Sequence, residues 1–129
     1  MDRYPASKGF SLIELIVVVA IVSVLLMVAY PRYQASVDRA ETTALLSNIQ
    51  QLRIALDRYY EDKGRYPDSL QRLVDDRYLR ALPVDPVTGR SDTWILVTAN
   101  AEQGSGIVDV RSGAHGSNAG GVPYRDLEP

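Results

Sequence analysis

The 129 residues contain no cysteine, and histidine occurs once, at position 115. The first absence excludes a disulfide scaffold, a thiol nucleophile and a zinc–thiolate site. The second leaves no histidine cluster for a metal and argues against a Ser-His-Asp enzyme. An excess of one charge is missing too: 14 basic and 16 acidic residues interleave without a basic block, which argues against a nucleic-acid partner. Internal repeats and low-complexity tracts are also lacking. The apolar residues, by contrast, are placed unevenly. Residues 10–30 form a run of 21 in which Glu14 is the only charge. The remaining ~100 residues suffice for only a modest core. This balance describes a membrane-inserted chain with a small soluble head.

At 1.5 Å per residue, a helix over this run spans about 31 Å, close to the roughly 30 Å hydrocarbon core of a bilayer. Residues 1–9 (MDRYPASKG) are polar, with Arg3 and Lys8 against Asp2. A secretory signal peptide would end in a small-residue cleavage site after roughly 7–15 apolar residues. No Ala-x-Ala boundary occurs here, so the segment reads as a single-pass anchor with Arg3 and Lys8 holding the N-terminus in the cytoplasm. Glu14 disturbs that reading. A carboxylate in lipid costs about 2–3 kcal/mol unless it is paired or protonated. Near the end of the run it can snorkel, or it can wait for a positive partner. Residues 10 and 14 share a helix face. If the chain were cut after Gly9, the new amine of Phe10, from the same chain or a neighbour, would supply the charge.

The segment Lys8-Gly9-Phe10-Ser11-Leu12-Ile13-Glu14-Leu15, followed by an apolar run and Pro31, resembles the class III leader of type IV pilins and pseudopilins. The resemblance implies that a prepilin peptidase cuts between Gly9 and Phe10 and N-methylates Phe10. Gly9 would be required because the peptidase site admits no side chain there. Glu14 would guide assembly into a filament whose core is a bundle of these helices.

Beyond the run, Pro31 removes one helical hydrogen bond and predicts a kink. The apolar pattern then resumes: Val37, Ala40, Ala44, Leu45, Ile49, Leu52, Leu56 and Tyr59 recur at spacings of one, three and four. We therefore expect one long, gently broken helix from about residue 10 to 62. Its part at 10–30 is the membrane or filament-core helix, and 31–62 is its amphipathic continuation. A coiled coil is the alternative for the second part, although the repeat lasts barely three heptads. The head is expected at 63–129. There Gly64 closes the helix, and Asp68 or Ser69 caps a short helix with Leu70, Leu73 and Val74 inward. A turn-rich loop at 83–89 precedes two strands, 93–99 and 107–111, that read as a hairpin. The fold class is α+β and pilin-like: a long N-terminal helix on a small head with a short helix and an antiparallel hairpin.

Two further pieces, Lys63-Gly64-Arg65-Tyr66-Pro67 and Leu82-Pro83-Val84-Asp85-Pro86, extend the resemblance to the G-type major pseudopilins of type II secretion systems. By itself the Pro-Asp-Pro element reads as a rigid turn. The resemblance implies calcium in a Gly-rich loop after the hairpin, held by carboxylates and carbonyls. In this chain His115 stands where an Asp is expected, and imidazole is a poor calcium ligand. Ser112 and Asp126 remain as candidates for a weakened site, with Ser117 and Asn118 as lesser oxygens. The alternative is no cofactor at all, with the loop held by packing of Val122 and Tyr124.

The resemblance implies a structural subunit of a type II secretion pseudopilus, with its head in the periplasm and its N-terminus in the cytoplasm. Its partners would be further copies of itself, other pseudopilins, the prepilin peptidase, an inner-membrane assembly platform and, indirectly, a secretion ATPase. The filament would drive protein export across the outer membrane. The alternatives are a type IV pilin or minor pilin for motility, adhesion or DNA uptake, and a monomeric membrane-anchored binding domain. The missing cysteine pair disfavours the type IV pilin, and Glu14 disfavours the monomeric anchor, which gains nothing from it. No enzyme is expected: Asp75 and Asp76 imitate a carboxylate pair, but adjacent helical residues do not face each other.

Overall fold

A computed structural model describes residues 3–4, 8–100, 102 and 104–129. Of the leader segment expected at 1–9, residues 1, 2 and 5–7 lie outside the described residues. Helix α1 runs Leu12–Lys63, helix α2 Leu70–Asp75, strand β1 Ile95–Thr98 and strand β2 Ile107–Arg111, with a 3-10 turn at Tyr124–Asp126. The chain divides into two units, residues 1–36 and 37–129.

In the first unit every large apolar side chain from Leu12 to Tyr30 is exposed, none below 47%. A helix that is apolar all round with nothing packed on it has lipid or other protein as its natural surroundings. It is the one helix among the described residues long and apolar enough to cross a membrane. Within it, the Ser23 hydroxyl donates to the Val19 carbonyl at 2.7 Å, which satisfies that donor within the helix itself. Pro31 lies inside the helix rather than ending it. Its missing N–H leaves the carbonyl one turn earlier without its usual donor.

In the second unit α1 buries one face. Leu45, Ile49, Leu52, Leu56 and Tyr59 are each 2% exposed or less, at the four-three-four-three spacing that puts side chains on a single helix face. Fully burying such a side chain contributes about 1.5–3 kcal/mol. They pack with Leu70 and Leu73 of α2, with Trp94, and with Ile107 and Val110 of β2. The buried stripe is shorter than the periodicity implied. Ala40 and Ala44 are exposed, because the packed core begins only at Leu45.

Gly64 ends α1 with φ +69° and donates to the Tyr60 carbonyl at 2.8 Å. Ser69 rather than Asp68 caps α2: its Oγ accepts the Arg72 N–H at 3.3 Å. Val74 is only half-buried.

The two strands pair antiparallel, from Ile95 opposite Arg111 to Thr98 opposite Ile107, with a bulge at Val97/Thr98. The first strand is shorter than the expected 93–99. Trp94 is instead turned into the core, with its indole N–H donating to the Pro83 carbonyl at 2.9 Å. The Thr93 carbonyl sits so close to Gly113 that a Cβ there would overlap it. The hairpin is tied to the end of the helical layer by the Ile107 N–H, which donates to the Pro67 carbonyl at 2.9 Å.

Candidate functional site

The N-terminal site begins where the backbone turns helical. Ser11 precedes the first residue of α1, and its Oγ accepts the Glu14 N–H at 3.2 Å. The Glu14 Oε2 in turn accepts the Ser11 N–H at 3.2 Å. This reciprocal pair is a capping box, with Ser at N-cap and Glu three residues on, and it satisfies two N–H groups that a helix start leaves without partners. The negative side chain also sits at the positive end of the helix dipole. Glu14 therefore has a local partner, a role the sequence reading missed. The Ser-x-x-Glu spacing before an apolar run was the cue for it.

Phe10 is 92% exposed just ahead of this cap. A Cβ built on Gly9 would meet nothing within 4 Å, so no contact among the described residues asks for glycine there. The site is a small residue, an exposed aromatic and a carboxylate fixed one turn into an unpartnered apolar helix.

The C-terminal loop is arranged differently from the expected ligand set. Ser112 is fully buried, and its hydroxyl donates to Asp85 Oδ2 at 2.5 Å. Asp85 is fully buried as well. Its Oδ1 accepts the Val87 N–H at 2.9 Å and the Thr88 N–H at 3.4 Å. The turn after Leu82-Pro83 thus carries a buried carboxylate that pins the end of β2, a partnership across 27 residues that no local pattern announces.

Asn118 Oδ1 accepts the N–H groups of Gly120 and Val122, both at 3.0 Å, so it is spent on closing its own turn. Asp126, His115 and Ser117 are exposed. Among the described residues no three carboxylates or histidines gather as a metal-holding group. Calcium favours six to eight oxygen ligands, and of the side-chain oxygens expected here those of Ser112 and Asn118 are engaged by the chain itself. Of the two side chains expected to pack the loop, Tyr124 lies against the core, whereas Val122 is 40% exposed. Burial pushes the Tyr124 hydroxyl above its ordinary pKa, and Glu41 and Asp38 add to that.

Arg53 on the head portion of α1 closes the same region from the other side. Its Nε and Nη2 donate to the two oxygens of Asp109 at 2.8 and 3.1 Å. Its Nη1 lies 2.8 Å from Glu128 Oε2. The Glu128 bond, and after the opposing pull of burial the Asp109 bond, hold the guanidinium above its ordinary pKa.

Comparison with known proteins matches one family model and several relatives. The family described as "Prokaryotic N-terminal methylation motif" matches residues 5–30. The type II secretion system core protein G of Klebsiella michiganensis is 33% identical over 103 residues, covering 67% of this chain and 72% of the relative. The protein of the same name from Pseudomonas aeruginosa is 34% identical over 95 residues, covering 61% and 67%. The type IV major pilin protein PilE1 of Neisseria gonorrhoeae is 39% identical over 62 residues, covering 48% of this chain and 38% of the pilin. No solved structure matches.

Proposed function

The chain belongs to the family of the type II secretion system core protein G, and from that premise we propose that it is a structural subunit of a secretion pseudopilus. Such subunits assemble with one another into pilus-like filaments, anchored first by a single apolar helix. The observation that carries the reading is the N-terminal third of α1. From Leu12 to Tyr30 its large apolar side chains are all exposed among the described residues. A bilayer covers them before assembly, and neighbouring helices cover them afterwards.

In this reading prepilin peptidase cuts between Gly9 and Phe10 and methylates the new amine. The free space around Gly9 supports this, since the demand for glycine then comes from the enzyme that reads the site. Glu14 leaves its cap to meet the Phe10 amine of a neighbour, exchanging one charge-assisted bond for another. Pro31 supplies the weak point at which the helix adjusts. The head stands in the periplasm, the leader in the cytoplasm. A secretion ATPase, acting through a membrane platform, adds subunits at the base, so that the filament drives proteins through the outer membrane. The chain performs no chemistry itself.

A type IV pilin is the second reading, favoured by the likeness to PilE1. That likeness covers 48% of this chain, whereas the likeness to core protein G covers 67%, more than the 62 residues ahead of the head can supply, and so takes in part of the head. Intact-mass measurement of the membrane form tests the processing step. The expected result is loss of the nine leader residues and gain of one methyl group. The full-length chain recovered from cells with an active peptidase overturns it.

A further inference from the structure

The loop from Ser112 to the C-terminus packs Tyr124 and Leu127 against the core, and three polar contacts, two to the head and one within the loop, set its path. Its start is pinned by the buried Ser112–Asp85 hydrogen bond. Its middle is folded by the Asn118 turn, in which the Asn118 N–H also donates to the Val122 carbonyl at 2.9 Å. Its end is held by Arg53, which binds Asp109 of β2 and Glu128 of the tail at once.

The third fastening has a particular chemistry. Two carboxylates from segments distant in sequence converge on one positive group, an arrangement that otherwise calls for a bound cation. A guanidinium presents five donors in a planar fork, so it serves two carboxylates through different nitrogens. The oxygens that the resemblance offered to calcium are meanwhile occupied elsewhere or exposed.

We propose that Arg53 is a built-in cation for this head: it joins Asp109 to Glu128 and closes the C-terminal loop with no need of bound calcium. The inference concerns the fastening of the head alone. Its failure would leave the assembly reading untouched.

Hydrogen exchange read by mass spectrometry on the processed chain in detergent micelles tests it. The loop amides to follow are those of Asn118, Tyr124 and Leu127, which donate to Val122, Gly116 and Tyr124 carbonyls. In the unmodified chain their exchange is expected to agree within about twofold between calcium and chelator. Glu128→Gln removes only a half-exposed tail charge, so the core stays folded, and Ile107 in β2 reports that it has. In this variant the loop amides are expected to exchange about two- to fivefold faster, and in Arg53→Gln at least as fast. A tenfold or greater slowing by calcium in the unmodified chain overturns the proposal. So does a Glu128→Gln variant whose loop exchanges at the unmodified rate.

Discussion

Single residues decide more here than their exposure suggests. Asp85 sits in a segment that reads as a rigid turn, but its carboxylate holds Ser112 and two backbone N–H groups in a fully buried place. Replacing it with Ala leaves those donors without acceptors and opens a small cavity. Asp85→Ala is expected to lower head stability by about 2–4 kcal/mol in a denaturant titration. Tyr78 offers a pH test. Its hydroxyl donates to Asp62 at 2.8 Å, and that bond pushes its pKa from 10.0 up to about 12. Below pH 10 the phenol is protonated in folded and unfolded chains alike, so the bond contributes in full. Between 10 and about 12 the unfolded phenol ionises first, and the contribution is lost as pH rises. Thermal melts should therefore show the unmodified chain losing stability over this window more steeply than Tyr78→Phe.

At the scale of the element, both ends of α1 follow local chemistry. Its start is the Ser11–Glu14 capping box and its stop is Gly64 in the left-handed region. A Cβ at Gly64 would touch nothing within 4 Å, so the cost of Gly64→Ala is conformational alone. We expect a loss of about 1–2 kcal/mol in a urea titration, with the helical signal of the folded state unchanged. β1 behaves in the opposite way. The strand expected at 93–99 would hold seven residues, but four pair. Ile95 and Leu96 are both 45% exposed, while Trp94 is the residue of that stretch in the core. Strand propensity is weak beside the gain from burying an indole with its N–H satisfied.

For the whole molecule, the unburied N-terminal third of α1 sets the behaviour. A chain that exposes every large side chain from Leu12 to Tyr30 is not at rest in water, and membrane and filament are two ways of covering the same surface. Glu14 separates them. Glu14→Leu removes a charge from lipid, so membrane insertion should be kept or improved. Filaments should nevertheless fail or form slowly, because the carboxylate that offsets the Phe10 amine is gone. Fractionation and electron microscopy of the two proteins check both halves; normal filaments from the variant would mean that Glu14 merely snorkels.

What the sequence by itself determined was the part written in near neighbours. The anchor follows from composition over 21 residues, α1 from its apolar period, and its end from one glycine. The leader, the cut and the methylated Phe10 are what an octapeptide implies, and the methylation-motif family matches the chain at residues 5–30. The capping box went unread, although its Ser-x-x-Glu cue lies within four residues. Tertiary structure alone decided the partnerships across long separations: Asp85 with Ser112, and Arg53 with both Asp109 and Glu128. It also decided that Ala40 and Ala44 stay exposed and that Ser112 and Asn118 are engaged within the head. Helix periods and caps depend on residues three or four apart, which a sequence displays directly. A buried polar group takes its partner from whatever the packed core brings beside it, and only the closed fold states which group that is.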